Sequence, residues 1–172
     1  MRTRVILAIA ALIPLAALSI YALNPLGVPS QDPRGRLLGV IPYRESSDSM
    51  LPTIARGEIV VACTGSYAWS QPARGDIVAF WTPPELESAY VKRIVAIAGD
   101  TVEFRAGRYL LNGIVQDEPY VEGVDDLPDM PAAQVPADSV FVAGDNRAHS
   151  YDSRFFGPVQ VSTIIGKMCA KL

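Results

Sequence analysis

One segment decides the fold class of this chain: Tyr90-Val91-Lys92-Arg93-Ile94-Val95-Ala96-Ile97. Its residues are mostly β-branched, aromatic or apolar, which is typical of a buried β-strand. In an extended chain alternate side chains point to the same face, so Lys92 shares its face with Tyr90, Ile94 and Ala96. The segment therefore predicts a strand that carries a lysine among apolar neighbours.

Further short runs between residues 59 and 143 have the same character, and turn signals separate them. The strongest turn signal is Asn112-Gly113, which favours a two-residue hairpin. Apart from a possible turn at Pro52–Arg56, no comparable helical pattern follows residue 24, so we predict an all-β domain of bent antiparallel sheets. The other predicted strands are Ile59–Cys63, Asp76–Trp81, Thr101–Phe104, Arg108–Leu111, Ile114–Gln116 and Ser139–Ala143, and Asp117–Gln134 is predicted as a surface loop.

The N-terminal region predicts a membrane anchor. Residues 5–23 carry no charged side chain, and a helix of this length covers about 28 Å, close to the ~30 Å hydrocarbon core of a bilayer. Arg2 and Arg4 precede it, which predicts that this end lies in the cytoplasm and that the chain after the anchor lies on the far side of the membrane. The predicted parts are a cytoplasmic start at 1–4, an anchor at 5–23, a linker at 24–36 and a β domain at 37–172. The alternative is a cleavable signal peptide, with small residues at Ala17-Leu18-Ser19.

Composition narrows the class of protein. Of 172 residues, 49% are hydrophobic and 19% charged, which is enough apolar material for the core of one domain. The net charge of −3 comes without a long basic block, so nucleic acid is not predicted as a partner. Cys63 and Cys169 have neither metal-ligand nor redox spacing. We predict two buried apolar cysteines, with one disulfide as the alternative in an oxidising compartment, and no metal or cofactor.

A candidate nucleophile lies in Ser47-Asp48-Ser49-Met50-Leu51-Pro52-Thr53. A serine hydroxyl needs a base to take its proton, and a buried, neutral lysine can be that base. We therefore predict Ser49 as the nucleophile and Lys92 as the general base of a hydrolase that works without histidine. The Ser47 hydroxyl and the Ser49 backbone N–H would stabilise an oxyanion. The alternatives are that Ser49 lies in an ordinary loop and that Lys92 lies on an edge strand, where it blocks aggregation.

A third polar segment, Gly144 to Val159, follows the predicted strand Ser139–Ala143. Asp152 and Arg154 are predicted to form a structural ion pair, and Ser150 or Asp145 to orient the lysine amine. The alternative is a histidine-based hydrolase, in which either Ser49 or Ser150 would act together with His149 and Asp152. The adjacency of His149 to Ser150 makes a hydrogen bond between them awkward.

Four motifs in order resemble those of type I signal peptidases, the serine/lysine leader peptidases of bacteria. They are the Ser47–Thr53 segment, Arg74-Gly75-Asp76-Ile77-Val78, Tyr90-Val91-Lys92-Arg93 with Gly99-Asp100, and the segment from Gly144-Asp145-Asn146-Arg147 to Arg154. The resemblance covers about Ile41 to Gly166. It implies a membrane-anchored endopeptidase with bent β-sheets that removes signal peptides from exported preproteins at the outer face of the cytoplasmic membrane.

The same resemblance implies individual roles. Ser49 is the nucleophile, Lys92 the base, Ser47 an oxyanion donor and Ser150 the residue that orients the lysine. Met50 and Tyr90 match positions that line the pocket for the small side chain beside the scissile bond, and we assign Tyr43 and Glu45 to the same pocket. The partners would be preprotein signal peptides and the lipid bilayer.

Two features depart from the family pattern. Glu45 and Ser46 stand where similar enzymes have an apolar residue and a proline, so we predict that Glu45, at the pocket rim, alters substrate choice. The short stretch between Asp100 and Gly144 indicates a minimal form, similar also to peptidases that mature pilin precursors in conjugative transfer. An anchored, non-enzymatic β module that binds exported chains remains the alternative of a different class.

Overall fold

The structure is a computed structural model that describes residues 2–81, 89–121 and 127–172, and of residues 2–11 the main chain. Its helices are α1 (Arg2–Leu23) and α2 (Ser153–Phe156), with a π-helical turn at Arg34–Leu38 and 3₁₀ turns at Arg147–His149 and Val161–Thr163. Its strands are β1 (Val40–Arg44), β2 (Ile59–Cys63), β3 (Ile77–Trp81), β4 (Ala89–Ile97), β5 (Thr101–Arg105), β6 (Arg108–Leu111), β7 (Ile114–Val115), β8 (Met130–Gln134), β9 (Ser139–Ala143), β10 (Val159–Gln160) and β11 (Ile164–Lys171).

The larger sheet has seven antiparallel strands in the order β1-β2-β11-β3-β4-β9-β10. Register shifts interrupt the pairing of β11 with both neighbours and of β4 with β9. An extra residue on one strand bends it and increases the local twist. The prediction of a mostly β domain with bent antiparallel sheets is therefore confirmed.

The smaller sheet has four strands in the order β7-β6-β5-β8. Two tight turns connect its first three strands, Ala106-Gly107 and Asn112-Gly113, and all four turn residues have positive φ. Such turns match the twist of the strands that they join, and Asn and Gly tolerate the conformation best. The hairpin predicted at Asn112-Gly113 is thus present.

Strand β4 lies at the meeting point of three hydrophobic clusters. Val91 packs with Met50 and other residues of the cluster beside β1 and β2, and Ile94 packs with Phe80 on the opposite face. Val95 belongs to a third cluster, with residues of the smaller sheet. Close packing on all sides leaves a strand little freedom to shift. The residues of β4, including Lys92, are therefore held in fixed positions.

Four strands were not predicted from the sequence: β1, β8, β11 and the two-residue edge strand β10. β1 and β8 each contain a proline, and both lie at the edge of a sheet, where the missing N–H does not break a ladder. β8 lies inside the segment Asp117–Gln134, which was predicted as a loop; residues 122–126 of that segment are outside the described residues. β11 was missed although it lies between β2 and β3, because half of its side chains are exposed and its apolar pattern is weak.

The two cysteines form a disulfide between β2 and β11. Cys63 and Cys169 are bonded across a sequence separation of 106 residues. Cys63 is half-buried and Cys169 is exposed, so the prediction of two buried apolar side chains was wrong, and the alternative of one disulfide is what the structure has. The bond joins the C-terminal strand covalently to the first half of the domain.

The chain before the domain is packed against it rather than extended from it. Val28 is 1% exposed, and its backbone exchanges two hydrogen bonds with the side chain of Asn24, at 2.9 and 3.0 Å. The Thr64 hydroxyl donates to the Gly35 carbonyl at 2.8 Å. Much of the predicted linker at 24–36 therefore has a fixed conformation.

Helix α1 covers the predicted anchor and most of the predicted cytoplasmic start, of which Met1 is outside the described residues. Within the part of the chain that the structure describes, no helix combines the length and the apolar character that crossing a membrane requires. The transmembrane anchor stays a prediction.

Candidate active site

Ser49 lies in a loop that leaves the end of β1 and enters a turn at residues 50–54. Met50 is fully buried in the hydrophobic cluster below the loop, and its carbonyl accepts a hydrogen bond from the Ile54 N–H at 2.8 Å. On the other side, the backbone N–H of Asn146 donates to the Ser49 carbonyl at 3.0 Å, and the Asn146 side chain donates to the Asp48 carbonyl at 3.1 Å. Ser49 is thus held from both sides, with 3% of its surface exposed.

Lys92 points at this serine from the middle of β4. Its Nζ lies 2.7 Å from the Ser49 Oγ and 3.1 Å from the Val91 carbonyl oxygen. The strand lies between β3 and β9, so the alternative of an edge-strand lysine does not apply. The structure therefore brings together the two residues that the sequence assigned as nucleophile and base.

The environment of Lys92 favours the neutral amine. Burial lowers the pKa of Lys92, because the apolar surroundings disfavour the ammonium form. The negative charges of Glu45, Asp152 and Asp145 oppose this shift, in that order of size, and the net direction is downward. A lysine with a lowered pKa can accept a proton from a serine hydroxyl nearer to neutral pH.

Glu45 and Ser47 extend the hydrogen bonds beyond Ser49. The Ser47 Oγ lies 2.9 Å from the Ser49 Oγ and 2.6 Å from the Glu45 Oε1, which also accepts the Ser47 N–H at 2.9 Å. Glu45 is 8% exposed. The sequence placed this carboxylate at the rim of the pocket. The structure adds a contact that the sequence did not predict, because the chain after β1 turns Glu45 onto Ser47.

The predicted oxyanion donors lie side by side. The Ser49 backbone N–H points towards the Ser47 Oγ at 3.4 Å, a long contact. The Ser47 hydroxyl faces Glu45 and Ser49. Both groups are thus adjacent to the Ser49 hydroxyl, and both contact groups of the protein itself.

Asp152 is the centre of a buried polar network behind the site. Its carboxylate accepts hydrogen bonds from the Ser150 hydroxyl at 2.6 Å, from the Gly144 N–H at 2.9 Å and from the Arg154 guanidinium at 2.8 and 2.9 Å. Asp152 and Arg154 form an ion pair whose two side chains are 0% and 3% exposed. The residues of the predicted ion pair are therefore in contact, and they fix the loop that follows β9.

Neither residue predicted to orient the lysine makes a hydrogen bond to it in the described part of the chain. Asp145 is fully buried, and its carboxylate binds the Arg93 guanidinium at 2.7 and 2.8 Å and the Thr53 hydroxyl. Ser150 donates its proton to Asp152. Asp145 therefore fixes the serine loop through Thr53, and Ser150 lies beside the site in contact with the carboxylate network.

His149 is exposed at the cleft, and its ring nitrogen Nδ1 lies 3.2 Å from the Asn146 Oδ1. Among the described residues, no hydrogen bond joins the imidazole to Ser49, Ser150 or Asp152. The geometry of a histidine-based triad is therefore absent from this part of the chain.

Ser47, Ser49 and Lys92 open into a cleft of about 620 Å³. Of the residues that the sequence assigned to a substrate pocket, Tyr43, Glu45 and Tyr90 line this cleft, and Met50 does not, since it is fully buried below the loop. Among the described residues, no group of three or more His, Cys, Asp and Glu side chains is placed to hold a metal ion. The remaining lining residues are Arg44, Ser46, Ser47, Ser49, Trp81, Ala89, Val91, Lys92, His149 and Tyr151.

Several residues that position the site had no assigned role in the sequence. A Cβ atom at Gly144 would overlap the Ser150 hydroxyl and the Ser49 carbonyl, so only glycine fits there. Arg93 and Thr53 hold Asp145, and Asn146 holds the serine loop. All of them lie within the quoted motifs, but only the packing reveals what each one contacts.

Comparison with known proteins assigns the family. The family model described as signal peptidase, peptidase S26, matches residues 35–172. A signal peptidase I of Leptolyngbya laminosa is 40% identical over 128 residues, which are 70% of this chain and 63% of the relative. Thylakoidal processing peptidase 1 of Arabidopsis thaliana is 39% identical over 132 residues, 70% of this chain and 38% of the relative. The chain thus spans less than two thirds of the length of these relatives.

Two further proteins extend the similarity. Signal peptidase IB of Staphylococcus aureus is 33% identical over 146 residues, which are 75% of each chain. The crystal structure of a signal peptidase I from Enterococcus faecalis has 31% identity and a TM-score of 0.51, covering 58% of this chain and 98% of that one. The family predicted from the ordered motifs is confirmed. Both the sequence and the β fold place the chain in the signal peptidase family, peptidase S26.

Proposed function

We propose that this chain is a serine endopeptidase that cleaves signal peptides from exported preproteins. The observation that carries the proposal is the 2.7 Å contact between the Lys92 amine and the Ser49 hydroxyl, made where both side chains are at least 96% buried. A base within hydrogen-bond reach of a serine, with its pKa lowered by burial, is the arrangement that nucleophilic catalysis needs.

The first step is acylation of Ser49. The neutral Lys92 amine takes the hydroxyl proton and becomes an ammonium, while the Ser49 Oγ attacks the scissile carbonyl. The negative charge that develops on the carbonyl oxygen is stabilised by the Ser49 N–H and the Ser47 hydroxyl. The Lys92 ammonium then gives its proton to the leaving amine, which departs as the new N-terminus of the mature protein.

The second step is hydrolysis of the acyl-enzyme. Lys92, neutral again, takes a proton from a water molecule, whose oxygen attacks the ester carbonyl. Collapse of this intermediate returns the proton to the Ser49 Oγ and releases the signal peptide with a free carboxylate. No step requires the His149 imidazole.

The substrate class follows from the cleft and the family. Tyr43, Tyr90 and Trp81 give the cleft an aromatic wall beside the nucleophile, which suits an extended peptide with small or apolar side chains. Glu45 adds one carboxylate to this wall, so the chain would choose among cleavage sites differently from relatives with an apolar residue there.

We place α1 in the cytoplasmic membrane and the β domain at its outer face. Arg2 and Arg4 before the apolar run support this orientation, and the disulfide between Cys63 and Cys169 fits an oxidising compartment. Leu38 and Trp69 are 71% and 92% exposed, and such groups favour the membrane interface. External protease added to spheroplasts should therefore digest the β domain, and protection of the domain would refute this orientation.

The proposal is tested by comparing cells that carry the wild-type chain with cells that carry Ser49→Ala. Ser162→Ala, in an exposed turn, is the matched control. Exported preproteins should accumulate uncleaved only with Ser49→Ala, and sequencing their N-termini with the active chain identifies each cut. Cleavage of many preproteins indicates a general peptidase, and cleavage of one pilin-type precursor a dedicated one. Unchanged processing by Ser49→Ala would refute the enzyme and favour the binding module.

A further inference from the structure

Glu45 occupies a position that the proposed reaction does not explain. Its Oε1 accepts both the backbone N–H and the hydroxyl of Ser47, at 2.9 and 2.6 Å. The residue is 92% buried. In the described part of the chain, Asp145 and Asp152 each form an ion pair with an arginine, whereas Glu45 has no such partner. The carboxylate thus directs its charge at the hydroxyls of the site.

The number of protons fixes the direction of the hydrogen bonds. An ionised carboxylate only accepts, so the Ser47 hydroxyl donates to Glu45. A hydroxyl has one proton, so in the 2.9 Å contact between Ser47 and Ser49 the donor is the Ser49 hydroxyl. In the 2.7 Å contact, Lys92 must then donate to Ser49. Every proton along this chain of groups points away from the lysine and towards Glu45.

This arrangement is the reverse of the one that acylation requires. The Ser49 proton must point at Lys92, and the Ser47 hydroxyl must point at the carbonyl oxygen of the substrate. Here the first proton points at Ser47 and the second at Glu45. The other oxyanion donor, the Ser49 N–H, points towards the Ser47 Oγ at 3.4 Å. All three groups therefore face other groups of the protein itself.

We propose that Glu45 is a positioning residue that holds the Ser47 hydroxyl. By this contact it keeps the protons of the site in an unreactive arrangement until a substrate carbonyl replaces Glu45 as the acceptor of the Ser47 proton. This inference rests on the proposed function. When a scissile carbonyl enters the cleft, it gives the Ser47 hydroxyl a second acceptor. Ser47 turns from Glu45 to that oxygen, and without the charged acceptor its own oxygen becomes a weaker acceptor for Ser49. The Ser49 proton then turns to the neutral amine. A peptide that seats its carbonyl poorly cannot make this exchange and is not cleaved.

The charge of Glu45 acts in the same direction as its hydrogen bond. A nearby carboxylate favours the ammonium form of Lys92, which cannot act as a base. Removing this charge should lower the pKa of the lysine further, so activity should begin at a lower pH. The other titratable groups around the amine are Tyr90, whose ring centroid is 5.2 Å from Nζ, the paired carboxylates Asp145 and Asp152, and, along the cleft, Tyr43, His149 and Tyr151.

The test compares Glu45→Gln and Glu45→Ala with the wild-type full-length chain in detergent. Asp48→Asn is the matched control, since it removes a carboxylate three residues away that is paired with Arg56. The rate of cleavage of a peptide with a preprotein cleavage site is measured against pH. In Glu45→Gln the acidic limb of kcat/KM should move down by about one pH unit, and in Asp48→Asn it should stay in place.

Glu45→Ala removes the hydrogen bond as well as the charge, because alanine offers Ser47 no acceptor, and comparison with Glu45→Gln separates the two effects. At pH values where the lysine is neutral, kcat should rise by about tenfold, since Ser47 no longer has to leave a charged partner. In a Ser47→Ala background the same Glu45→Ala change should leave kcat unaltered, because the hydroxyl that Glu45 holds is gone. A fall in kcat in Glu45→Ala, or an equal rise without Ser47, would overturn the proposal.

A direct titration separates this inference from the proposed function. The chain has three lysines, Lys92, Lys167 and Lys171, so ¹³Cε-labelled lysine gives three signals, and Lys92→Arg identifies the relevant one. The titration midpoint of the Lys92 signal should fall by about one pH unit in Glu45→Gln. We expect this fall even if the chain cleaves none of the peptides tested. If the Lys92 midpoint shifts but the chain cleaves no peptide, the result supports the role of Glu45 and counts against the proposed peptidase activity. An unchanged midpoint, or an equal shift in Asp48→Asn, overturns the role of Glu45.

Discussion

Replacing Gly144 with alanine should disable the site through a single methyl group. The added Cβ would lie 2.6 Å from the Ser150 Cβ and closer still to the Ser150 hydroxyl and the Ser49 carbonyl, whereas ordinary contacts begin at 3.4 Å. The neighbours must therefore separate by about 0.8 Å or more. Ser49 is one of them, so its hydroxyl moves relative to Lys92. Displacements near 1 Å at a reacting group cost about 100-fold in rate.

The same change should lower the free energy of unfolding by about 1–3 kcal/mol, as is usual when a packed site receives an extra methyl group. The backbone of Gly144 lies outside the left-handed region, so this cost is steric and not conformational. Gly113→Ala is the matched control. Its φ is +81° and nothing lies within 4 Å of the added atom, so strain should cost it about 1 kcal/mol without any effect on the distant site.

The assay pairs urea unfolding, followed by circular dichroism, with the rate of peptide cleavage. Gly144→Ala should lose both stability and about 100-fold in kcat/KM, and Gly113→Ala should lose stability alone. The reasoning would be refuted by a Gly144→Ala enzyme within twofold of wild type, or by equal losses of activity in the two variants.

Other expected outcomes concern the base, the histidine and the disulfide. Lys92→Arg should be as inactive as Lys92→Ala, because a guanidinium with a pKa above about 12 keeps its proton; near-normal turnover would contradict the role of the lysine. His149→Ala should keep most of its activity, and kcat/KM should rise with pH along a limb below about 10.4, since burial lowers the pKa of Lys92; loss of that limb with the histidine would reverse this assignment. Replacing Cys63 and Cys169 with serine should lower the free energy of unfolding by about 3–5 kcal/mol, because the bond closes a loop of 106 residues; identical urea midpoints would show that the bond adds no stability.

Most of the strands and the candidate pair Ser49 and Lys92 could be predicted, because their signals lie in short segments of the sequence. β4 has a dense run of β-branched residues, and the hairpin at Asn112-Gly113 has the residues that its positive φ angles require. The serine and the lysine stood out as residue types that need each other for chemistry. The strand β11 did not stand out, because half of its side chains are exposed and its apolar pattern is weak. The disulfide that joins it to β2 depends on the pairing of residues that are 106 positions apart.

What only the tertiary structure decided is which polar group each side chain faces. The sequence named Glu45 as a departure from the family pattern, and assigned Asp145 and Ser150 to the lysine. The fold instead turns Glu45 onto Ser47, Asp145 onto Arg93 and Ser150 onto Asp152. The physical reason is range: propensity and turn chemistry act over a few neighbouring residues, whereas a hydrogen bond is made or lost within about 0.5 Å. Distances of that accuracy between residues far apart in the chain are set only when the whole core packs.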